Sequence, residues 1–382
     1  MIIVKTVQTK KDKKAFATFP IKLYKGNPYY VPSMRSDELN TFNEKKNVNL
    51  KGSQYKGFLA YKDGELVGRI MAIIVSSDSV SETEQYVRFS RLECINDLEV
   101  FKALLGAVEN YGKSQGANFI HGPWGFNDQD REGMLTEGFD RRSTYATNYY
   151  YPYFHENVEK LGFKDESKWV ERSFTIPKEP YDRIIALAER IKKRYNLIEV
   201  ADTLEINEII KRYGLKLLSC VNEAYGGLDG YVPLTDEAKK SVIDSFGIIV
   251  NTRYISILVD ENDDVAAFGI CLPSICNAMI KSRGKLFPTG FIGVLKSIKN
   301  PKELEMALIG VNAKYKNTGL NAVVISRIMK NVIADGIEFI ESNPMLETNY
   351  DIQQQWKFAE NEIIKKRQTY KKEIGSLLEF YK

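Results

Sequence analysis

The stretch Ala307-Leu308-Ile309-Gly310-Val311-Asn312-Ala313-Lys314-Tyr315-Lys316-Asn317-Thr318-Gly319-Leu320-Asn321 decides the reading of this chain. Residues 306–311 read as a short buried strand, and a basic loop follows that ends on glycine. A helix over 319–334 then starts at that glycine, with Leu320, Val324, Ile328 and Val332 on one face. Such a turn gathers unpaired backbone N–H groups and the positive end of a helix dipole at one point, which suits a phosphate. Gly319 lets the backbone approach an anion without a Cβ in the way, and Lys314 and Lys316 offset its charge.

Working outward, helices over 181–194, 205–223 and 235–246 come first in this half. A hairpin of 254–259 and 265–272 follows, turned at Glu261-Asn262-Asp263-Asp264. After the quoted stretch, Asp335-Gly336 stops the helix, and a strand at 337–342, a helix at 350–358 and a strand at 363–372 complete the half. The first half runs in the same order. A strand at 2–6 and a helix at 11–24 precede strands 57–62 and 66–75, which Asp63-Gly64 joins as a hairpin. Then come a strand at 86–95, a helix from Asn96 or Asp97 to Gly116, a strand at 118–121, a helix after Pro152 and a strand at 170–176. Pro177-Lys178-Glu179-Pro180 reads as a linker, with Pro180 at the next helix start, so the chain divides into 1–176 and 181–382. The repeated order predicts a tandem duplication of an α+β unit rather than a doubly wound parallel sheet.

The segment from Lys316 to Asn321 resembles the acyl-CoA pyrophosphate loop of the GNAT superfamily of N-acyltransferases. That pattern is Gln or Arg, two residues, Gly, one residue, then Gly or Ala. Here Lys316 replaces the first, Gly319 matches, and Asn321 takes the last place. Val311 falls where the family opens its sheet to the pantetheine arm, and Asn349 matches an asparagine before the following helix. Trp356 stands where the family often has a tyrosine that protonates the departing thiolate; Tyr350 and Tyr370 are candidate substitutes. Gly284-Lys285-Leu286-Phe287-Pro288-Thr289-Gly290 also resembles GNAT-like bacterial proteins. The implied fold class is α+β: two tandem GNAT-like acyl-CoA N-acyltransferase domains, each a mixed, mostly antiparallel sheet flanked by helices. The implied co-substrate is acetyl-CoA or another acyl-CoA, contacted by Val311, Lys314, Lys316, Asn317, Thr318, Gly319, Leu320, Asn321 and Asn349. The implied reaction moves the acyl group directly to a small-molecule or peptide amine.

Such a transfer needs a base for the amine, a donor at the thioester carbonyl and an acid for the thiolate. Glu305 and Glu347 are the candidate bases, although each also reads as a surface carboxylate. In the first half the equivalent strand runs straight into Asn96-Asp97-Leu98-Glu99, with two acids and no glycine. Acids at a helix start satisfy its N–H groups and repel an anion, so no acyl-CoA site of this kind is expected there. The excursion from His121-Gly122-Pro123-Trp124-Gly125-Phe126-Asn127-Asp128 to Asp140 is followed by Tyr145, Tyr149, Tyr150, Tyr151 and Tyr153. It reads either as a pocket wall facing the second half, with His121 as acid or base, or as an ordered capping loop.

At 382 residues, with 43% hydrophobic and 27% charged residues, the composition is that of a globular protein of about two domains. The net charge of +4 is spread among acids with no basic track, which argues against nucleic acid. Four cysteines and two histidines lack metal-ligand spacing, so no metal and a reduced, cytoplasmic setting are expected. No apolar run reaches the roughly 18 residues that cross a bilayer, and no membrane partner is expected. Two further readings stay open: a non-catalytic CoA-binding or regulatory protein, and an aminoacyl transferase of duplicated GNAT-like architecture.

Overall fold

The first half opens with β1 (Ile2–Thr6), α1 (Lys10–Leu23) and the short α2 (Arg35–Asn40). Thr9 starts α1 with a capping box: its hydroxyl accepts from the Asp12 amide while the Asp12 carboxylate takes the Thr9 N–H. β2 (Gln54–Lys62) and β3 (Glu65–Ile74) form the expected hairpin, with Asp63 and Gly64 at φ of 50° and 88°. β4 (Tyr86–Cys94), α3 (Leu98–Ser114), β5 (Phe119–Gly122), β6 (Met134–Glu137), α4 (Tyr153–Lys160) and β7 (Lys164–Phe174) complete this half. The second half comprises α5 (Asp182–Arg194), β8 (Ile198–Glu199), α6 (Ile206–Tyr225), α7 (Asp236–Phe246), β9 (Ile255–Val259) and β10 (Val265–Pro273). It continues through α8 (Cys276–Ser282), α9 (Gly290–Lys299), β11 (Glu303–Val311), α10 (Leu320–Ala334), β12 (Phe339–Ser342), β13 (Met345–Leu346), α11 (Tyr350–Gln355) and β14 (Asn361–Glu373). The structure is a computed structural model that describes residues 1–382 except 76–83, 128, 180, 181, 229, 376 and 378–382. Asp128 in the glycine-rich excursion and Pro180 at the linker lie outside the described residues.

One sheet runs through the molecule in the order β1-β2-β3-β4-β5-β14-β7-β12-β11-β10-β9-β8. Among the described residues only β4–β5 and β11–β12 are parallel pairs; the others are antiparallel. The order reads the same from both ends, as a duplicated unit arranged about a pseudo-two-fold between β14 and β7 requires. The last strand of each half is exchanged. β14 lies beside β5 of the first half, and β7 lies beside β12 of the second. This exchange explains why β7 begins at Lys164 rather than near Val170. Its polar first residues pair with β14, Asp165 opposite Tyr370 and Lys168 opposite Gln368. α8 and α9, in a stretch where the sequence signals no helix, form a hairpin between β10 and β11.

The exchanged pair carries a fully buried ionic cluster. Glu171 and Lys365 sit opposite each other in the register, with Lys365 Nζ 2.8 Å from the Glu171 carboxylate. Arg367 Nε donates to the other oxygen of Glu171, and Lys365 also meets Glu341 on β12. Burial penalises the Glu171 anion, but the Arg367 and Lys365 charges outweigh it and hold the carboxyl below its ordinary range. Removing one member of such a cluster strands an opposite charge in the interior. Lys365→Met should therefore lower unfolding free energy by about 3–5 kcal/mol in urea titrations. A loss under about 1 kcal/mol would show that Arg367 alone satisfies both carboxylates.

Candidate functional site

β11 and β12 pair only from Glu303–Met306 against Phe339–Ser342. Past Met306 the two strands part. From there to Val311, β11 is half-buried rather than buried as expected, because its free edge faces a cavity of about 930 Å3. The Tyr225 hydroxyl reaches this edge and donates to the Ile309 carbonyl at 3.0 Å. A bulge between Ile270 and Cys271 in the neighbouring strand shifts the register at the same level.

At one end of the cavity Gly319, with φ of 81°, precedes α10 as its N-cap, and no side chain caps the helix. The first amides of α10 are therefore left for an outside acceptor. A Cβ at Gly319 would lie 3.1 Å from Ile191 Cδ1, and its φ is one that side chains seldom adopt. The Asn321 carboxamide lines the cavity, and its Oδ1 is buried without a hydrogen-bond partner. The free amides at the start of α10 suit an anion, and the Asn321 oxygen beside them calls for a hydrogen-bond donor. Val311, Lys316, Asn317, Thr318, Gly319, Leu320, Asn321 and Asn349 all line the cavity. Asn349 also caps α11, accepting from the Ile352 amide at 3.2 Å.

Lys314 is placed otherwise. Its Nζ lies 2.9 Å from Asp260, which also accepts from the Tyr315 hydroxyl at 2.9 Å, so it anchors the loop from behind rather than lining the cavity. Burial opposes ionisation of Asp260, but hydrogen bonds from Lys314, the Asp264 amide and Tyr315 outweigh it and hold the carboxyl well below its ordinary range.

Of the candidate catalytic groups, the structure brings only Glu305 to the cavity. Its Oε2 accepts from the Tyr145 amide at 2.9 Å, and its Oε1 accepts from the Ser274 hydroxyl at 2.8 Å and the Cys276 thiol at 3.0 Å. Burial and the adjacent Glu305 charge push the Cys276 thiol well up, so it stays protonated and donates. Glu347 and Tyr350 are exposed and lie outside the lining, Tyr350 at 71% exposure. Their position on the turn into α11 points them away from the cavity. Tyr370 is fully buried on β14 in the core of the first half, 3.5 Å from Glu159. The strand exchange takes it away from the cavity. Trp356 does line the cavity, packed edge-on against Phe174 with its indole N–H directed at Met345 Sδ.

His121 sits in the first half, buried against Tyr86 and Trp124, with Nδ1 3.2 Å from Glu166. It does not line the cavity; Gln129, Asp130 and Glu132 of the same excursion do, together with Tyr145. The matching wedge between β4 and β5 is filled. Trp124 hydrogen-bonds through its amide to the Phe89 carbonyl at 3.0 Å, and the Arg88 guanidinium, 5.4 Å from the Trp124 ring, donates to the Gly125 carbonyl at 2.9 Å. The α3 start is closed by its own Asp97, whose carboxylate accepts from the Glu99 amide. Ser274, Cys276 and Tyr145 carry no motif in the sequence, and only the fold gathers them on Glu305.

No protein-family model matches the chain. Over 389 aligned residues it is 27% identical to Protein YghO of Escherichia coli (strain K12), covering 97% of this chain and 95% of that protein. It is 22% identical over 319 residues to the bacterial ceramide synthase of Caulobacter vibrioides, covering 82% and 81%. A tandem GNAT protein from the clavulanic acid biosynthesis pathway superposes with a TM-score of 0.54 at 10% identity, over 98% of this chain and 99% of that one. This chain has the tandem GNAT fold. A GCN5-related N-acetyltransferase from Sphaerobacter thermophilus shares it at a TM-score of 0.50 and 9% identity, over 98% and 96% of the two chains. In tandem GNAT terms, the splayed strands and the glycine turn of the second half are open, whereas in the first half the wedge is filled and the helix start, without a glycine, is capped by Asp97. Among the described residues no cluster of His, Cys, Asp and Glu is placed to hold a metal, and no helix is long and apolar enough to cross a membrane.

The loop anchor gives a pH signature. Asp260 has a lower pKa folded than unfolded, so it contributes stability above its unfolded pKa of about 4 and loses it as pH falls through the folded value. Asp260→Asn should flatten the acid side of the stability curve below about pH 4 relative to wild type, measured by thermal melts across that range. Parallel curves would exclude this anchor.

Proposed function

We propose that the second half binds acyl-CoA and transfers its acyl group to an amine, forming an amide. The observation that carries this reading is one continuous cavity that joins the Gly319 turn, the free edge of β11 and the Glu305 carboxylate. The amides at the start of α10 and the Asn321 carboxamide would hold the pyrophosphate, and residues 307–311 would lie along the pantetheine arm. The amine attacks the thioester carbonyl, the C–N bond forms, the C–S bond breaks and CoA leaves as the thiolate. Glu305 holds the amine and takes its proton, oriented by Ser274, Cys276 and the Tyr145 amide. The thiolate takes its proton from water, because Trp356 offers no hydroxyl where the family often has one.

The walls beyond Glu305 favour a long acyl chain. Ile209, Leu217, Val242, Ile243, Phe246 and Ile257 continue the cavity between α6, α7 and the sheet, far more apolar surface than an acetyl group fills. The Caulobacter relative bears the name ceramide synthase, and a ceramide is a fatty amide of a long-chain amino alcohol. That name supports a fatty acyl donor and a lipidic amine for this chain too. The indole of Trp356 favours a second reading, in which CoA is bound and no acyl group moves.

Thermal shift and turnover separate the two. Free CoA and palmitoyl-CoA should each raise the melting temperature, by an amount corresponding to about 2.7 kcal/mol at a hundredfold excess over Kd. Gly319→Val should abolish both shifts; shifts that persist in this variant, or are absent in wild type, would defeat the site. With palmitoyl-CoA and a long-chain amine, amide formation followed by mass spectrometry should fall about a hundredfold or more in Glu305→Gln while the CoA shift stays. Undiminished turnover would remove Glu305 from the reaction, and binding without turnover in wild type would establish the second reading.

A further inference from the structure

The α8–α9 hairpin is outside the site just described and presents an unusual surface. Residues 276–302 contain six basic side chains and no acidic one. Lys302 pairs with Glu338 at 2.9 Å, but Lys281, Arg283, Lys285, Lys296 and Lys299 are exposed and meet no carboxylate at ion-pair distance among the described residues. Between these cations the hairpin exposes four large apolar residues: Phe287 at 80%, Ile292 at 58%, Leu295 at 54% and Phe291 at 38%. Phe287 and Phe291 pack ring to ring at 5.8 Å, so the patch is preformed.

The helix is held with that face outward. On α9, Val294 is buried and Ile298 half-buried against a core containing Ile275 and Met279, and a Cβ at Gly293 would lie 3.3 Å from Ala278 Cβ. The opposite face carries Phe291, Ile292 and Leu295, with Lys296 and Lys299 following toward the helix end. The connecting loop is pinned at Gly284, whose N–H donates to Met279 and whose carbonyl accepts from the Arg35 amide at 2.8 Å. An apolar face of this kind, on a hairpin with basic and no acidic side chains, matches a surface that is apolar inside and anionic outside.

We propose that the α8–α9 hairpin docks the protein on an anionic phospholipid surface, with Phe287, Phe291, Ile292 and Leu295 entering the interface and the surrounding lysines and Arg283 contacting the headgroups. The absence of a spanning segment, on which the sequence-based exclusion of a membrane rests, does not bear on peripheral docking. The hairpin grows from Ile275 and Cys276, which line the cavity and bond to Glu305 respectively. Docking there places the cavity wall next to a source of lipid. Docking of this hairpin does not depend on acyl transfer and needs no acyl-CoA.

The full chain should cosediment with phosphatidylcholine vesicles that contain phosphatidylglycerol, more weakly with phosphatidylcholine alone, and less as salt is raised. The Phe287→Ser/Phe291→Ser/Leu295→Ser variant and the Lys296→Glu/Lys299→Glu variant should each lower the partition coefficient about tenfold or more, with thermal melts like wild type. Wild type remaining in the supernatant with anionic vesicles at low salt would overturn the proposal, as would either variant binding like wild type. A dimer of the wild type that the serine variant dissolves would assign the patch to a second copy of the chain and equally overturn it.

Discussion

The exchange of β7 and β14 is the constraint on which the rest of the molecule depends. Each half lends its last strand to the sheet of the other, so neither core closes without its partner. The seam is made specific by a buried lysine and arginine facing two buried glutamates. A buried ion pair is a poor source of stability compared with packed apolar side chains, but it penalises wrong partners heavily. Shifting β14 by one residue would turn Lys365 and Arg367 to the other face of the sheet and strand Glu171 and Glu341. The cluster thus fixes the register of a long exchanged pair that packing alone would specify less sharply.

That seam also positions the cavity. Lys365 donates to the Arg142 carbonyl at 2.9 Å and Arg367 to the Asn148 carbonyl at 2.6 Å, which holds the 142–148 segment across the junction. Within that segment the Arg142 guanidinium meets Glu303, Thr144 bonds to Asn343 at 3.1 Å, and the Tyr145 amide reaches Glu305. A carboxylate of the second half is thereby oriented by a backbone donor of the first. The charged seam and the candidate reaction site are successive links of one hydrogen-bonded chain.

Local chemistry in this protein is legible in the sequence, and long-range pairing is not. Asp63-Gly64 announces its hairpin because positive φ at both positions leaves few alternatives. Gly319 announces a helix start for the same kind of reason, and the apolar period of 320–332 carries the helix onward. Glu305 and Glu347 look alike as isolated acids near strand ends. They separate only when β10, α8 and the 142–148 segment converge on one of them. Lys365 and Arg367 carry no local signal of burial; the glutamate of β7 that pairs with them lies nearly two hundred residues away. Tyr370 is misplaced by sequence for the same reason, since a candidate acid in the last strand belongs to the other half's core once that strand is exchanged. The α8–α9 hairpin escaped because its apolar residues divide between a buried face and an exposed one. Its helices are also too short for a clear period.

The two halves show what duplication allows when the strands are interlocked. In an independent pair, a half without an open cavity could be dispensed with. Here the first half cannot be discarded, because it supplies β7 to the sheet and the donor to Glu305. Its own wedge holds Trp124 and Arg88, so side chains occupy the place that the second half leaves open. The excursion that fills the wedge also presents Gln129, Asp130 and Glu132 to the shared cavity. The stretch that fills the wedge of the first half is also part of the cavity wall of the second.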